Sequence, residues 1–200
     1  LFIVMIAVSC MYPAIDMVAG EKERHTLATL LTAPVASHQI VLGKYLAVLT
    51  VGGLAGLANL SVLGLTFFRV IGQAKAGGAG FEIDVGPATV IGALIAIVAA
   101  AAPLSALLLL AGSFARSFRD ASLLLTPVLM LCAVPAFFVT QPTVEPTLGG
   151  CAWPVLGAGF ALRGLLDGTL GLSAAFVALL AAVASTALLL ALITRVFADE

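Results

Sequence analysis

Two histidines, His25 and His38, and three cysteines, Cys10, Cys132 and Cys151, are the residues of this chain best suited to nucleophilic or metal chemistry. A hydrolase needs nucleophile, base and orienting group to converge, and a metal centre needs several ligands. Neither pattern is present. Both histidines fall in one polar stretch, no HExxH or GxSxG occurs, and the cysteines are an odd number at wide spacing without a CxxC pair. They read as apolar fillers rather than as a disulfide framework. Gly43-Lys44 looks like the end of a phosphate-binding loop, but GxxxxGK[ST] would need glycine where His38 stands and Ser or Thr where Tyr45 stands. The segment 72–87, with Gly77, Gly78 and Gly80, lacks that spacing too and reads as a flexible outer connector. No catalytic residue, metal site, ATP site or cofactor of its own is therefore assigned to the chain.

The chemistry that remains is recognition. Glu21, Lys22, Glu23 and Arg24 are crowded into one turn, and Leu27, Leu30 and Leu31 follow at i, i+3 and i+4, the spacing of an apolar stripe on a short helix. Acidic groups at the start of such a helix would complement its dipole, and Pro34 disfavours helical geometry at Ala33. A compact amphipathic helix within a loop at 20–44 is expected. It would lie on lipid headgroups or dock a soluble partner, and Glu21 and Glu23 argue against a purely lipid-binding role because anionic headgroups favour Lys and Arg.

The elements that must position this loop are membrane helices. Of 200 residues 62% are hydrophobic and 10% charged, and mean hydropathy is +1.21; soluble domains carry about 25% charged residues. A span needs about 20 apolar residues at about 1.5 Å rise each. Uncharged runs at 1–15, 45–68, 89–113, 121–140 and 170–193 meet or approach that length. An all-α polytopic bundle of about five membrane helices follows. Residues 153–168 form a shorter apolar segment broken by Arg163, expected as a re-entrant or interfacial outer helix, since Arg at a bilayer centre costs about 2.5 to 3.5 kcal/mol on insertion scales. With the 20–44 loop inside, six Lys or Arg residues (Lys22, Arg24, Lys44, Arg116, Arg119, Arg195) lie in the cytoplasm and three (Arg69, Lys75, Arg163) outside. The C-terminus is then cytoplasmic as well. A net charge of −1 gives no footprint for nucleic acid. The chain opens at Leu1 inside an apolar run and reads as a fragment that begins within a membrane helix.

Inside the spans the polar inventory is short. Asp16, at the cytoplasmic end of the first run, would meet a cation or cap the neighbouring loop. Asn59, mid-span, would hydrogen-bond across helices or line a permeation route. Gly52 and Gly56 have the GxxxG spacing that permits close helix approach, within the chain or across a dimer. Pro103, Pro127 and Pro135 are expected to kink their helices. Arg163 and Asp167 stand four apart, the spacing of a helix-face pair, and are candidates for an outer gate.

The run GEKERHTLATLLTAPV, residues 20–35, followed by His38, Gln39, Ile40 and VLGK at 41–44, resembles the corresponding loop of type 2 ABC exporter permeases, particularly the NatB-like sodium-exporter branch. FARSFRDASLLLTP, residues 114–127, and WPVLGAGFALRGLLDG, residues 153–168, are similar in the same order. His25 stands where the family usually has Gly, Ala28 where Glu is common, and Gly157-Ala158 where Asn is frequent. The resemblance implies a permease subunit in the bacterial inner membrane, paired with a second permease copy or paralogue. A separate ABC ATPase would bind ATP and Mg and dock on the loop, with Leu27, Leu30 and Leu31 as apolar anchor and Glu21, Glu23 and Arg24 as charged rim. It also implies export, with sodium ions as a candidate substrate. The alternatives from the residues alone are a secondary transporter driven by an ion gradient, or an intramembrane enzyme.

Overall fold

The computed structural model describes residues 2–24, 26, 36–76, 87–139, 141, 144–145, 147–169 and 172–198. All regular structure among them is helical: α1 (Phe2–Ile15), a π turn (Asp16–Gly20), α2 (Glu21–Glu23), α3 (Ser37–Ala76), α4 (Pro87–Ser113), α5 (Phe118–Val139), α6 (Leu148–Cys151), α7 (Leu156–Leu166) and α8 (Leu172–Ala198). Among the described residues five stretches are long and apolar enough to cross a membrane: Ile3–Glu23, Ser37–Thr66, Thr89–Ser113, Phe118–Val139 and Leu172–Val196.

The helices outrun the uncharged runs that announce them. The first continues past Asp16 to Glu23, α3 starts at Ser37, seven residues before Lys44, and α5 starts at Phe118 with Arg119 and Asp120 in its first turn. Hydropathy stops at the first charge, whereas the i to i+4 hydrogen bonding of a helix does not. The helix α3 likewise runs on to Ala76, inside the stretch 72–87 that composition assigns to the outer loop.

Helix α4 is the centre of the bundle and packs on α1, α3, α7 and α8. Its sequence explains this. Ala96, Ala99, Ala100, Ala101, Ala102 and Ala106 are all buried, and small side chains let helix backbones approach closely where lipid supplies no hydrophobic drive between them. Helix α5 carries large residues instead, and exposes Leu123, Met130, Leu131, Val134, Phe137 and Phe138.

Gly52 and Gly56 of α3 face inward. A Cβ on Gly52 would overlap Cys10 Sγ, and one on Gly56 would lie 2.8 Å from Ile97 Cγ2 and 3.2 Å from Ile6 Cδ1. The GxxxG spacing thus joins α3 to α1 and α4 of the same chain. Cys10 completes the contact through a 3.5 Å approach of its Sγ to Ser105 Oγ, while Ser105 Oγ donates to Ala101 O at 2.7 Å. Gly52→Ala is expected to destabilise the bundle by about 1–3 kcal/mol through overpacking. Adding Cys10→Ala should recover most of that loss, because the remaining neighbours of the new Cβ, Ser105 Oγ and Ala101 Cβ, sit at an ordinary 3.8 and 3.9 Å. Thermal unfolding in detergent of both variants checks this; no recovery in the double variant would refute the packing.

At 11 residues α7 reaches only about 16 Å, half of a bilayer core. Its buried face is Gly157, Ala158, Ala161 and Gly164, one small-residue stripe at helical spacing. The entry to α7 is a γ-turn: Leu156 N–H donates to Pro154 O at 2.8 Å, with Val155 between them at φ 69° and ψ −53°. A β-branched residue there is strained by roughly 1–3 kcal/mol. The close packing of Gly157 on the Cys151 carbonyl, which leaves no room for a side chain, holds it in place.

Candidate functional site at the charged helix ends

Residues 20–24 lie where the ends of α2, α3, α4 and α5 converge. Their local conformation starts in the π turn, a bulge in an otherwise continuous helix that Gly20 makes possible. A Cβ on Gly20 would sit 2.8 Å from Asp16 Oδ1. Single π turns recur at functional sites. Here the turn brings the Met17 carbonyl within 2.5 Å of Lys44 Nζ.

Four charged side chains follow, and each has a partner on the chain. Glu21 Oε2 pairs with Lys44 Nζ at 2.5 Å, the lysine side chain being 5% exposed and the glutamate 28%. Lys22 Nζ donates to Ser113 O at 2.8 Å, at the last residue of α4. Glu23 Oε2 accepts the N–H of Phe118 at 2.9 Å, at the first residue of α5. Arg24 Nη2 reaches Asp16 Oδ1 at 3.2 Å. That last pair is mostly exposed, 71% and 54%, so it contributes about 0–1 kcal/mol.

Glu21 and Glu23 therefore do not open a separate helix, as their position in the sequence suggests. They form the last turn of the first helix, where their charge opposes the local dipole. Lys44 offsets this for Glu21. Glu23 is offset by a different helix: it sits at the N-terminus of α5, where an anion is favourable. Asp16 lies in the π turn directly after α1, with Arg24 as its cation.

The turn between α4 and α5 carries its own cap. Ser117 Oγ accepts from Asp120 N at 3.2 Å, and Asp120 Oδ2 accepts from Arg116 N at 3.1 Å. Ala115 is fully buried, while Phe114, Arg116, Phe118 and Arg119 are exposed.

Leu27, Leu30 and Leu31 lie outside the described residues, as does His25. Asn59 is half-buried on α3 and makes no side-chain hydrogen bond with another described residue. Arg163 and Asp167 pair at 3.3 Å at the opposite end of the bundle. Arg163 Nη1 also donates to the carbonyls of Val139, Gln141 and Val144 at 2.7, 2.7 and 2.9 Å, tying α7 to the end of α5. On α6, burial pushes the Cys151 thiol up from its ordinary value. Between α3 and α8, His38, Val41, Leu42, Leu190, Ala191 and Thr194 line an open cleft of about 210 Å³, below the 300 Å³ or so usual for a small-molecule site. Among the described residues no group of three or more His, Cys, Asp or Glu is placed to hold a metal ion.

Sequence reasoning passed over Lys44, Lys22, Ser113 and Phe118 as partners. Lys44 lies 23 residues from Glu21, and Phe118 lies 95 from Glu23. No local spacing rule spans such distances.

The fold and this site define a multi-pass α-helical membrane protein whose charged residues are concentrated at helix ends. Residues 1–151 match the ABC-2 family transporter protein domain, and the chain belongs to that family. It is 32% identical over 127 residues to the ABC transporter permease protein NatB of Bacillus subtilis (strain 168), a match that covers 63% of this chain. The chain spans about a third of the length of that relative, 32%. No solved structure matches it.

Proposed function

We propose that this chain is the transmembrane permease part of an ATP-driven exporter, and that a separate ATPase docks on the loop that follows residue 24. The supporting observation is that the family's charged motif ties together the ends of α2, α3, α4 and α5, so a load on the loop reaches much of the bundle. Leu27, Leu30 and Leu31 supply the apolar anchor, and the segment 20–44 and the C-terminus face the cytoplasm of the bacterial cell. ATP and Mg are bound by the partner, and two permease copies or paralogues assemble around the route. Sodium ions are the substrate that the NatB-like resemblance favours.

Coupling of this kind requires the loop to contact its partner differently in two states. Leu30→Asp places a charge in the anchor. It is expected to leave the permease inserted, to weaken partner binding by about 2 kcal/mol, roughly thirtyfold, and to abolish ATP-driven transport. The measurement is ATP-dependent sodium uptake into inverted vesicles holding the full-length permease and its ATPase, with pull-down of the ATPase alongside. Retained transport with normal pull-down would overturn the docking assignment. Sodium uptake absent from the unsubstituted complex, with ATP hydrolysis unaffected by sodium, would overturn the substrate.

A further inference from the structure

We propose that Lys22 and Glu23 are positioning residues that carry displacement of the docking loop into helices α4 and α5; this rests on the docking reading above. The loop is covalently continuous with α2 and α3 only. The helices α4 and α5 meet each other at the turn 114–117 and have no covalent connection to the loop except through other helices. Yet α4 is the core of the bundle, so any reorganisation of the membrane helices must involve it.

Two adjacent side chains of α2 bridge this gap. Lys22 Nζ is bonded to the carbonyl of Ser113, the last residue of α4, and Glu23 Oε2 to the amide of Phe118, the first of α5. The signs of charge are matched to the helix ends: a cation meets the negative end of the α4 dipole and a carboxylate meets the positive end of the α5 dipole. The turn's own cap leaves the second contact open. Ser117 Oγ engages the amide of Asp120, and Asp120 Oδ2 engages that of Arg116, so the Phe118 amide is taken by Glu23. Such amides are the groups a helix start leaves unsatisfied. Ala115, within the same turn, is fully buried. A tilt of α2 therefore displaces both helix ends together, in one step, through hydrogen bonds of 2.8 and 2.9 Å.

Spatial connection alone does not establish coupling; a response at one end that depends on the link does. The test uses the full-length permease with its ATPase in lipid vesicles, native cysteines replaced, and a spin label at either Thr26→Cys or Arg119→Cys. Both positions are exposed. With intact Lys22 and Glu23, ATP should change the spectrum at both labels. In Lys22→Met with Glu23→Met the label at 26 should still respond to ATP and the label at 119 should not. Lys22→Arg alone, which keeps a cationic donor for the Ser113 carbonyl, should preserve the response at 119. Glu23→Met alone, which removes the acceptor at similar side-chain length, provides the folded variant should the double substitution prevent assembly, and its response at 119 should fall. An undiminished response at 119 in the double variant or in Glu23→Met overturns the clasp as a transmission element. A label at 26 that ignores ATP in the unsubstituted, ATPase-bound complex overturns the docking reading, and the clasp's role with it.

Discussion

Glu21→Ala is expected to destabilise the bundle by roughly 3 kcal/mol or more, and to do so through Lys44 rather than through the glutamate's own contacts. The Lys44 side chain is 5% exposed and that of Glu21 is 28%. Removing the carboxylate takes the Glu21 charge away from a buried ammonium, and breaking a buried pair from one side typically costs about 3–5 kcal/mol. Lys44→Met should cost less, since Glu21 is partly open to water and the methionine stem fills the space of the lysine chain. The double variant Glu21→Ala with Lys44→Met should then be more stable than Glu21→Ala alone. Thermal unfolding of the three variants in detergent closes a double-mutant cycle with a coupling energy of about 1 kcal/mol or more. If Glu21→Ala proves no more harmful than Lys44→Met, the buried charge is not what the glutamate controls.

The second large effect is expected at the opposite end. Arg163→Ala removes one nitrogen that serves the carbonyls of Val139, Gln141 and Val144, and a second contact from Nε to Asp167. Val139 is the last residue of α5, and its carbonyl is of the kind a helix end leaves without an internal partner, while Gln141 and Val144 lie in the segment beyond it. Each charge-assisted bond is worth about 1.5–3 kcal/mol in isolation, but three acceptors share one nitrogen, so roughly 2–4 kcal/mol in total is expected. Hydrogen exchange in 139–145 should quicken well before the core of α4 is affected. Arg163→Lys keeps the charge and loses the planar fork, so an intermediate stability is expected. Lysine performing as well as arginine would show that charge alone holds α7 to the end of α5. The role of a gate, which the position of Arg163 and Asp167 suggests, gains no separate support from these bonds; what they do is fix the short helix.

Between these two ends the legibility of the sequence varies with the range of the interaction. The five spans follow from hydropathy because insertion responds to the composition of a single stretch of about 20 residues. Their ends do not, since Glu23, Lys44 and Arg119 continue helices past the point where hydropathy fails. The pairing of Arg163 with Asp167 could be read because the two share one helical turn. The three carbonyls on the same arginine could not, because they lie 19 to 24 residues away. Likewise GxxxG announces a close approach, while only the packing shows that Cys10, Ile6 and Ile97 are what approaches.

By itself, then, the sequence determined a helical, multi-pass membrane protein with a charged cluster of family-specific pattern at residues 20–24, because hydropathy and motif spacing are properties of contiguous residues. Only the tertiary structure decided what that cluster holds. Lys22 and Glu23 meet Ser113 and Phe118 because α4 ends and α5 begins beside α2. The partner of a charge is set by which helix ends packing brings together, and packing depends on small-residue faces distributed over the whole chain.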